Sequence, residues 1–479
     1  MSDTPKTHSS ARKISKTAGG VVALVLAISL NVVIVNSFGG MDAVITRLAA
    51  LIKGTAPAPP PRPPSVIAGN TGGSGGMLQA EAQSFLQRAN QGDSYAQFRT
   101  GYIFEYGLGN VKRNAVEAVR YYKLAADKGE WKAQYNLGLL LQSGAEGVAK
   151  DEPEALRYIR LAADAGDGRA QITLARMYGS GTKGAPRDPA QSAQWYQRAA
   201  QSKDSFVLVM IAQDYEAGEG GLPKDDAQAA VNYLAAGARG EAWGNLKAGV
   251  MYLTGVGVPK DETKASSLLA AAGSSNDATT LAYLGWIYAE GKFGMAKDVD
   301  KAAPLIKRAA DGGDPWAAMT MSDYYFRGQG GQQQNAALAL KYLQQASDGK
   351  NAQAQARLGW LYEHGFGVPK DEAKAADLYR RAADQGQADA ADYLGAMIQD
   401  GRGGQDRNEI EAIRLYRLAS EGGSVKAMYD IGLMYDYGLG GEAKNPEQAM
   451  IWYRKAAAAG YGPAKRYLAA MAVKASPAP

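Results

Sequence analysis

The residue types that carry most protein chemistry are scarce in this chain of 479 residues. It contains no cysteine and only two histidines, His8 and His364. The lack of cysteine excludes disulfides, thiolate zinc sites, iron–sulfur clusters and cysteine nucleophiles. Two histidines leave almost no basis for a histidine metal cluster or a Ser-His-Asp triad. Acid–base chemistry would have to come from carboxylate pairs such as Asp261–Glu262 and Asp371–Glu372.

These carboxylate pairs and the glycine-rich segments before them are better explained as structure than as catalytic machinery. Segments such as residues 255–261 recur ten times, whereas a catalytic or phosphate-binding loop would occur once. Each pair falls at a predicted helix start, where carboxylates are stabilised by backbone N–H groups. His364 lies beside a glycine that ends a helix, and no nucleophile is implied near it. We therefore predict no catalytic residue, no metal site and no cofactor, and we do not expect an enzyme.

An internal repeat of 36 or 37 residues determines the secondary structure on which any functional site must lie. A small residue recurs at this spacing, and a glycine follows it six residues later in every copy. The small residues are Gly101, Gly138, Ala175, Ala212, Gly249, Gly285, Ser322, Gly359, Gly395 and Gly432. The glycines run from Gly107 to Gly438, and an Asp or Asn follows each at about seven residues, from Asn114 to Asn445. Ten copies in phase are typical of a repeat protein.

Each copy predicts a helix, a glycine-rich loop and a second helix. The small residue lets two helices approach closely, and the glycine suits the left-handed position that follows a helix. The Asp or Asn is a preferred helix N-cap. Ten units span 94–460, with a lone second helix at 80–90 and a lone first helix at 463–473 covering the apolar faces of the end repeats. The repeat domain is predicted over 77–475.

The motif resembles that of the Sel-one-like repeat (SLR) family, relatives of the tetratricopeptide repeats. It is clearest in Leu358, Gly359, Tyr362 and Gly365, and the match covers roughly residues 78–473. The resemblance implies an all-α, right-handed α-solenoid that acts as an adaptor, often exported and tied to envelope or signalling complexes in bacteria. Some exported members carry one disulfide per repeat, a subgroup that this cysteine-free chain does not match.

Aromatic residues that the repeat does not require form a predicted partner site. In tetratricopeptide-like packing the first helices line a concave groove, at positions six and three before, and one and four after, the small residue. The predicted groove residues are Phe206, Trp243, Leu246, Trp286, Trp316, Phe326 and Trp360. An aromatic strip that faces solvent gains no core burial, which favours a binding role. The alternative is that curvature of the superhelix buries these rings against neighbouring repeats.

The N-terminal segment predicts a single membrane anchor. Residues 17–41 contain no charged side chain, and about 20 apolar residues suffice to cross a bilayer. We predict a transmembrane helix over 19–40. Four Lys or Arg residues precede it and two follow closely, which predicts a cytoplasmic tail at 1–18 and export of the rest. A cleaved signal peptide is the alternative, but its apolar region is normally shorter and ends in an A-x-A-like site.

Two connecting segments are predicted between the anchor and the repeats. Apolar residues recur at helical spacing over 41–54, which predicts a juxtamembrane amphipathic helix. Residues 55–76 form a linker, with six prolines in residues 56–64 and a glycine-rich run after them. The prolines favour a stiff spacer and the glycines a flexible joint. Together these segments predict a single-pass protein of the bacterial inner membrane whose solenoid lies in the periplasm.

The predicted function is a membrane-anchored scaffold whose groove binds a peptide or helix of another protein. The 53 Lys and Arg against 48 Asp and Glu leave a net charge of +5, too small to indicate a nucleic-acid partner. Two alternatives stay open. One is a carbohydrate-binding scaffold that assists polysaccharide export, because aromatic strips also stack on sugars. The other is a cell-wall hydrolase, against which stand ten interchangeable repeats without a unique polar constellation.

Overall fold

The computed structural model describes residues 79–475 of the chain. The chain divides into two units, Met1–Ile67 and Ala68–Pro479, and all described residues belong to the second. The predicted cytoplasmic tail, transmembrane helix, juxtamembrane helix and linker lie outside the described residues. No helix within 79–475 is both long enough and apolar enough to cross a bilayer.

Residues 79–475 form 22 α-helices and no β-strand. In chain order these are α1 (Gln79–Asn90), α2 (Ser94–Tyr106), α3 (Ala115–Ala126), α4 (Trp131–Ser143), α5 (Glu152–Asp164), α6 (Gly168–Ser180), α7 (Pro189–Ala200), α8 (Ser205–Ala217), α9 (Asp226–Ala238), α10 (Ala242–Thr254), α11 (Glu262–Gly273), α12 (Ala278–Glu290), α13 (Val299–Asp311), α14 (Pro315–Arg327), α15 (Ala336–Asp348), α16 (Ala352–His364), α17 (Glu372–Ala383), α18 (Ala388–Asp400), α19 (Glu409–Glu421), α20 (Val425–Tyr437), α21 (Pro446–Ala458) and α22 (Gly462–Ala475).

Successive helix pairs form the ten predicted repeats. The first helices are the even-numbered ones from α2 to α20, and each packs on the second helix that follows it and on the second helix before it. Helix α1 packs on α2 and α22 packs on α21, so both end repeats are covered as predicted. The prediction of an all-helical repeat solenoid is confirmed, while its right-handed sense stays a prediction.

Local caps decide where the helices of each repeat begin and end. Asn114 caps α3 by accepting hydrogen bonds from the N–H groups of Val116 and Glu117, each at 3.1 Å. All ten predicted Asp or Asn residues, from Asn114 to Asn445, take this N-cap position of a second helix. The first helices end at the predicted glycines, where a positive φ excludes most other residues; Gly291 has φ 61°. These sequence predictions are confirmed.

The core of each repeat is built around the small residue of its first helix. A Cβ atom on Gly285 would lie 2.5 Å from Cγ1 of Ile306, and one on Gly432 would lie 2.5 Å from Cε1 of Tyr453. Ile306 and Tyr453 are both buried. Distances this short lie well inside van der Waals contact, so a larger side chain would push the two helices apart. Close helix packing therefore explains why the small residue recurs.

Candidate functional site

The first helices present a narrow arc of accessible positions, numbered here relative to the small residue of each repeat. Positions −6, −2 and +1 are half-buried or exposed in almost every repeat. Because an α-helix turns about 100° per residue, these positions lie about 100–160° around the helix axis from the small residue. Position −3 falls at about 60° and points towards the adjoining helices. The accessible face is therefore rotated slightly from the one predicted by sequence.

Six of the seven predicted groove residues are accessible on the first helices. Phe206, Trp243, Trp286, Trp316, Phe326 and Trp360 are all half-buried. Leu246 is not, because it stands at position −3 and is 0% exposed. It belongs to the core, which corrects its predicted exposure in the groove. That the other six residues bind a partner stays a prediction.

Rings on two neighbouring first helices form a continuous aromatic ladder. Trp243 on α10 packs against Tyr283 on α12 with 5.3 Å between ring centroids and an interplanar angle of 67°. Tyr283 in turn lies 5.2 Å from Trp286, one turn along α12. Phe293, in the loop that follows, meets the edge of Trp286 at 6.3 Å. Edge-to-face pairs of this kind hold aromatic rings in fixed orientations.

Tyr283 is the residue of this ladder that sequence reasoning missed. It stands at position −2, which was not included among the predicted groove positions. Tyr283 and Trp286 are three residues apart, which places both rings on one helix face. This spacing is the sequence signal that indicates Tyr283. We define the aromatic strip as Trp243, Tyr283, Trp286, Trp316 and Trp360.

A second group of stacked rings lies at the end of α16. The imidazole of His364 stacks on Trp360 with 4.5 Å between ring centroids, and Phe366 stacks on Trp360 at 5.3 Å. Nδ1 of His364 lies 3.0 Å from the carbonyl oxygen of Trp360, a separation that suits an Nδ1–H donor. The ring of Phe366 stays 37% exposed. His364 therefore caps a helix end and widens the strip, in keeping with its predicted place beside the terminal glycine.

Two predicted groove residues on α14 lie apart from both ring groups. Trp316 makes no ring–ring contact within the described residues and packs against the hydrophobic core cluster. Phe326 lies under the guanidinium of Arg357, 5.2 Å from ring centroid to Cζ, and Arg357 also pairs with Asp323. The structure thus joins Trp243 to Trp286 through Tyr283, and leaves Trp316 as a separate anchor between the two groups.

The helix pairs, their caps and their small residues match one family model ten times over. The model is that of the Sel1 repeat, and it matches residues 94–130, 131–167, 168–204, 209–241, 244–277, 279–314, 317–351, 352–387, 388–424 and 425–461. The chain belongs to the Sel1 repeat family. The resemblance inferred from sequence is confirmed, and the matched segments agree with the predicted repeats.

A solved structure of another Sel1-type protein shares this architecture. The chain is similar to c5321, a protective antigen of uropathogenic Escherichia coli with an SLR fold, at 26% identity and a TM-score of 0.50, covering 83% of this chain and 91% of that one. It is also similar to a Sel1 repeat protein from Oxalobacter formigenes, at 27% identity and a TM-score of 0.47, covering 66% and 89% respectively. No curated protein matches the chain. Sel1 repeat proteins are in general protein–protein interaction scaffolds, and the family is typically not enzymatic.

A tyrosine on the second helix meets a polar side chain at position +4 in five Sel1 repeats. The hydroxyl of Tyr122 donates to Glu105 at 2.6 Å, and that of Tyr233 donates to Glu216 at 2.7 Å. The other three pairs are Tyr379 with Glu363, Tyr416 with Gln399 and Tyr453 with Asp436. Burial raises the pKa of Glu105, which accepts one of these bonds. Position +4 is therefore polar in repeats one, four, eight, nine and ten.

Sel1 repeats two, three and five to seven lack this polar pair, and repeats five to seven carry most of the aromatic strip. Their second helices have Leu269, Ile306 and Leu343 in place of the tyrosine. Position +4 holds Leu253, Ala289 and Phe326 in the same three repeats. With no buried hydroxyl to bond, a carboxylate at +4 is not needed, and the face becomes apolar. Repeats five to seven thus differ at position +4 from the five repeats that carry the polar pair.

Repeats nine and ten carry charged residues on their first helices, and three of these form one ion-pair cluster. Lys426 on α20 donates to Asp392 on α18 at 2.9 Å and to Asp430 at 2.7 Å. Asp392 is 2% exposed, and burial raises its pKa to about 6. Within 79–475 no group of three or more His, Asp or Glu side chains is arranged to hold a metal ion. The cluster acts as a buried structural network.

Proposed function

We propose that this chain is a membrane-anchored scaffold that binds an apolar segment of a partner protein along the aromatic strip. The observation that carries this proposal is the run of half-buried Trp and Tyr rings across the first helices of repeats five to eight. Trp and Tyr are the residue types in which interface energy concentrates. Rings that are neither in the core nor free in solvent offer a partner both area and fixed geometry.

The chemistry of the strip favours an apolar segment over a charged one. Leu253, Ala289 and Phe326 replace the polar side chains that most other repeats carry at position +4. Nζ of Lys292 lies 5.6 Å from the Trp286 ring centroid. A cation–π contact of this kind stabilises the ring. The proposed occupant is therefore a helix or extended segment with large apolar side chains at its contact face.

The proposed location is the periplasmic side of a bacterial inner membrane. The uncharged apolar run at 19–40 and the excess of Lys and Arg before it support an anchor with a cytoplasmic N-terminus. The proline-rich segment after it supports a stiff spacer between the bilayer and the repeats. In this arrangement the strip would meet other envelope proteins at a defined distance from the membrane.

Site-specific photo-crosslinking in cells tests the binding surface. The photoreactive amino acid p-benzoylphenylalanine is placed at position 286 of the full-length chain, and crosslinked peptides are mapped by mass spectrometry. We expect one dominant protein adduct whose crosslinked peptide is rich in apolar residues. Position 452 is the matched control, because Trp452 is also half-buried but lies on a second helix.

Equal adduct formation at positions 286 and 452 would contradict the proposal. An adduct at 286 that survives protease but is removed by glycosidase would favour the carbohydrate-binding alternative. Adducts that map to many unrelated proteins at similar yield would indicate non-specific contact with an apolar surface.

A further inference from the structure

A cavity of about 380 Å³ opens between the first helices of repeats two, three and four. Its apolar lining comes from Tyr135, Leu139, Met177 and Met210. Pockets of about 300–1,000 Å³ with apolar walls and a few polar groups are typical of small-ligand sites. The cavity lies on α4, α6 and α8, outside the aromatic strip, and nothing in the proposed function uses it.

A buried ion pair fixes one wall of this cavity. Asp214 stands at position +2, where the other nine repeats carry a buried apolar residue, and its side chain is 3% exposed. Nε of Arg176 donates to it at 2.8 Å, and the hydroxyl of Tyr196 donates at 2.7 Å. Burying a carboxylate at a core position is costly unless it is paired in this way. The arrangement holds the guanidinium of Arg176, itself 37% exposed, at the cavity wall.

The rim of the cavity carries a lysine in an unfavourable backbone conformation. Lys183 has φ 59° in the loop after α6. In seven other repeats the equivalent residue is a glycine with φ between 61° and 71°: Gly109, Gly220, Gly257, Gly330, Gly367, Gly403 and Gly440. A side chain is penalised in this left-handed region. Lys183 is exposed and forms no ion pair with any residue in 79–475.

We propose that this cavity is a binding site for an aromatic carboxylate. The ring lies against the thioethers of Met177 and Met210, which make favourable sulfur–aromatic contacts. The carboxylate meets the guanidinium of Arg176 and the ammonium of Lys183, both of which line the cavity. The opposing charges are Asp214, which is already paired with Arg176, and Glu219 on the rim, which is exposed to solvent. The same chemistry is offered by a free aromatic acid and by the C-terminal Phe or Tyr of a peptide.

The binding test uses the full-length chain labelled with ¹³C at the methionine ε-methyl groups. The probes are 3-phenylpropanoate and N-acetyl-Ala-Ala-Phe with a free carboxylate, each compared with its primary amide. We expect ring-current shifts at Met177 and Met210, identified by Met→Leu substitution, and binding of each amide about fivefold weaker than its acid. Tighter binding of the tripeptide assigns the site to a peptide terminus, and tighter binding of phenylpropanoate assigns it to a free acid. Equal affinities of acid and amide, or shifts spread evenly over all methionines, would overturn the proposal.

Three substitutions separate a binding role of Lys183 from a structural one. Lys183→Asn removes the charge but keeps a residue that tolerates a positive φ, as Asn110 does in the first repeat. It should reduce the preference for acid over amide, because Arg176 alone then meets the carboxylate, while the melting temperature stays the same or rises. Lys183→Arg should keep the preference, and Lys112→Asn, an exposed loop lysine in the first repeat, should leave it unchanged. A preference that is as large in Lys183→Asn as in the wild type would contradict the assigned role of the lysine.

Discussion

The hydroxyl of Tyr379 donates a hydrogen bond of 2.8 Å to the carboxylate of Glu363. The same tyrosine ring lies against Gly359, where a Cβ atom would come within 2.9 Å of Cε1. Nη1 of Arg402, from the following repeat, also donates to Glu363 at 2.9 Å. One buried side chain therefore joins the two helices of a repeat, and the carboxylate it bonds joins that repeat to the next.

Removing the Tyr379 hydroxyl should weaken both connections. In Tyr379→Phe, Glu363 loses its donor within the repeat but keeps Arg402, so we expect a loss of about 1–2 kcal/mol in the free energy of unfolding. Urea titration followed by circular dichroism measures it. Tyr362→Phe is the control, because Tyr362 is half-buried and its hydroxyl makes no hydrogen bond within the described residues. Equal losses in the two variants would mean that the hydrogen bond contributes nothing specific.

The close contact between Gly285 and Ile306 predicts local rather than global damage. Gly285→Ala places a Cβ atom 2.5 Å from Cγ1 of Ile306, and overpacking of this kind costs about 1–3 kcal/mol. Because repeats contact only their neighbours, hydrogen exchange should accelerate in α12, α13 and the adjoining helices alone. In Gly285→Ala/Ile306→Ala the clash is removed, so the glycine substitution should cost less there than in the wild type. Uniform loss of protection over all ten repeats would contradict a quasi-linear solenoid.

The fold could be predicted in detail because the residues that begin and end its helices act locally and occur ten times. A glycine such as Gly291 is required by its own positive φ angle. A cap such as Asn114 is required by hydrogen bonds to N–H groups two and three residues away. Neither depends on how distant parts of the chain meet. Ten copies in phase then fix helix starts and ends more firmly than any single motif.

The candidate site could be predicted only in part because it depends on how each first helix is rotated against its neighbours. A rotation of about 40° separates position −3 from position +1, and it decides that Leu246 is buried while Trp286 is accessible. No local motif encodes that angle. Asp214 could have been found, since a carboxylate breaks the apolar character of position +2, but its pairing with Arg176 of the preceding repeat needs the structure.

The buried carboxylate of Asp392 should make the stability of repeats nine and ten depend on pH. Burial raises its pKa to about 6, and Asp389, Asp430 and Lys426 are the charged groups around it. The folded chain therefore holds a proton on Asp392 that the unfolded chain releases, so this stabilisation is present below about pH 4 and is lost as pH rises through about 6. The advantage of wild type over Asp392→Asn in urea midpoint should shrink between pH 4 and pH 7.

Asp188 provides a control of opposite sign for this pH dependence. The backbone N–H of Gln191 lowers the pKa of this N-cap carboxyl. Its stabilisation is therefore present above its unfolded pKa and is lost as pH falls. The advantage of wild type over Asp188→Asn should not shrink between pH 4 and pH 7. Parallel pH profiles for the Asp392 and Asp188 variants would show that burial does not control the titration of Asp392.

The charge asymmetry around residues 19–40 predicts an exported C-terminus. Alkaline phosphatase, which is active only in the periplasm, should be active when fused after Pro479. Replacing the four Lys and Arg residues before the apolar run with serine should lower this activity, because the orienting charges are then gone. A cytoplasmic reporter that is active at the same fusion point would contradict both the orientation and the proposed location.

Truncating single tryptophans of the aromatic strip should separate binding from folding. Trp316 is half-buried and has no ring–ring contact within the described residues, so Trp316→Ala should lower the melting temperature by only a few degrees. If Trp316 anchors a partner, its loss should weaken binding of the crosslinked partner segment at least about tenfold, since truncating an interface anchor commonly costs 2 kcal/mol or more. Trp286→Ala should weaken binding similarly but cost more stability, because its ring also supports Tyr283 and Phe293.

Trp452→Ala is the matched control for these two variants. Trp452 is half-buried like Trp316 and has Nζ of Lys455 at 4.2 Å from its ring centroid, but it stands on the second helix α21. We expect a stability loss comparable to that of Trp316→Ala and no change in affinity for the partner segment, measured by fluorescence anisotropy. Full truncation of a core tryptophan would instead cost about 3–5 kcal/mol of folding free energy. A loss of folding free energy of that size in Trp316→Ala, with the affinity of the folded fraction unchanged, would show that Trp316 is a core residue. It would contradict partner binding at the aromatic strip.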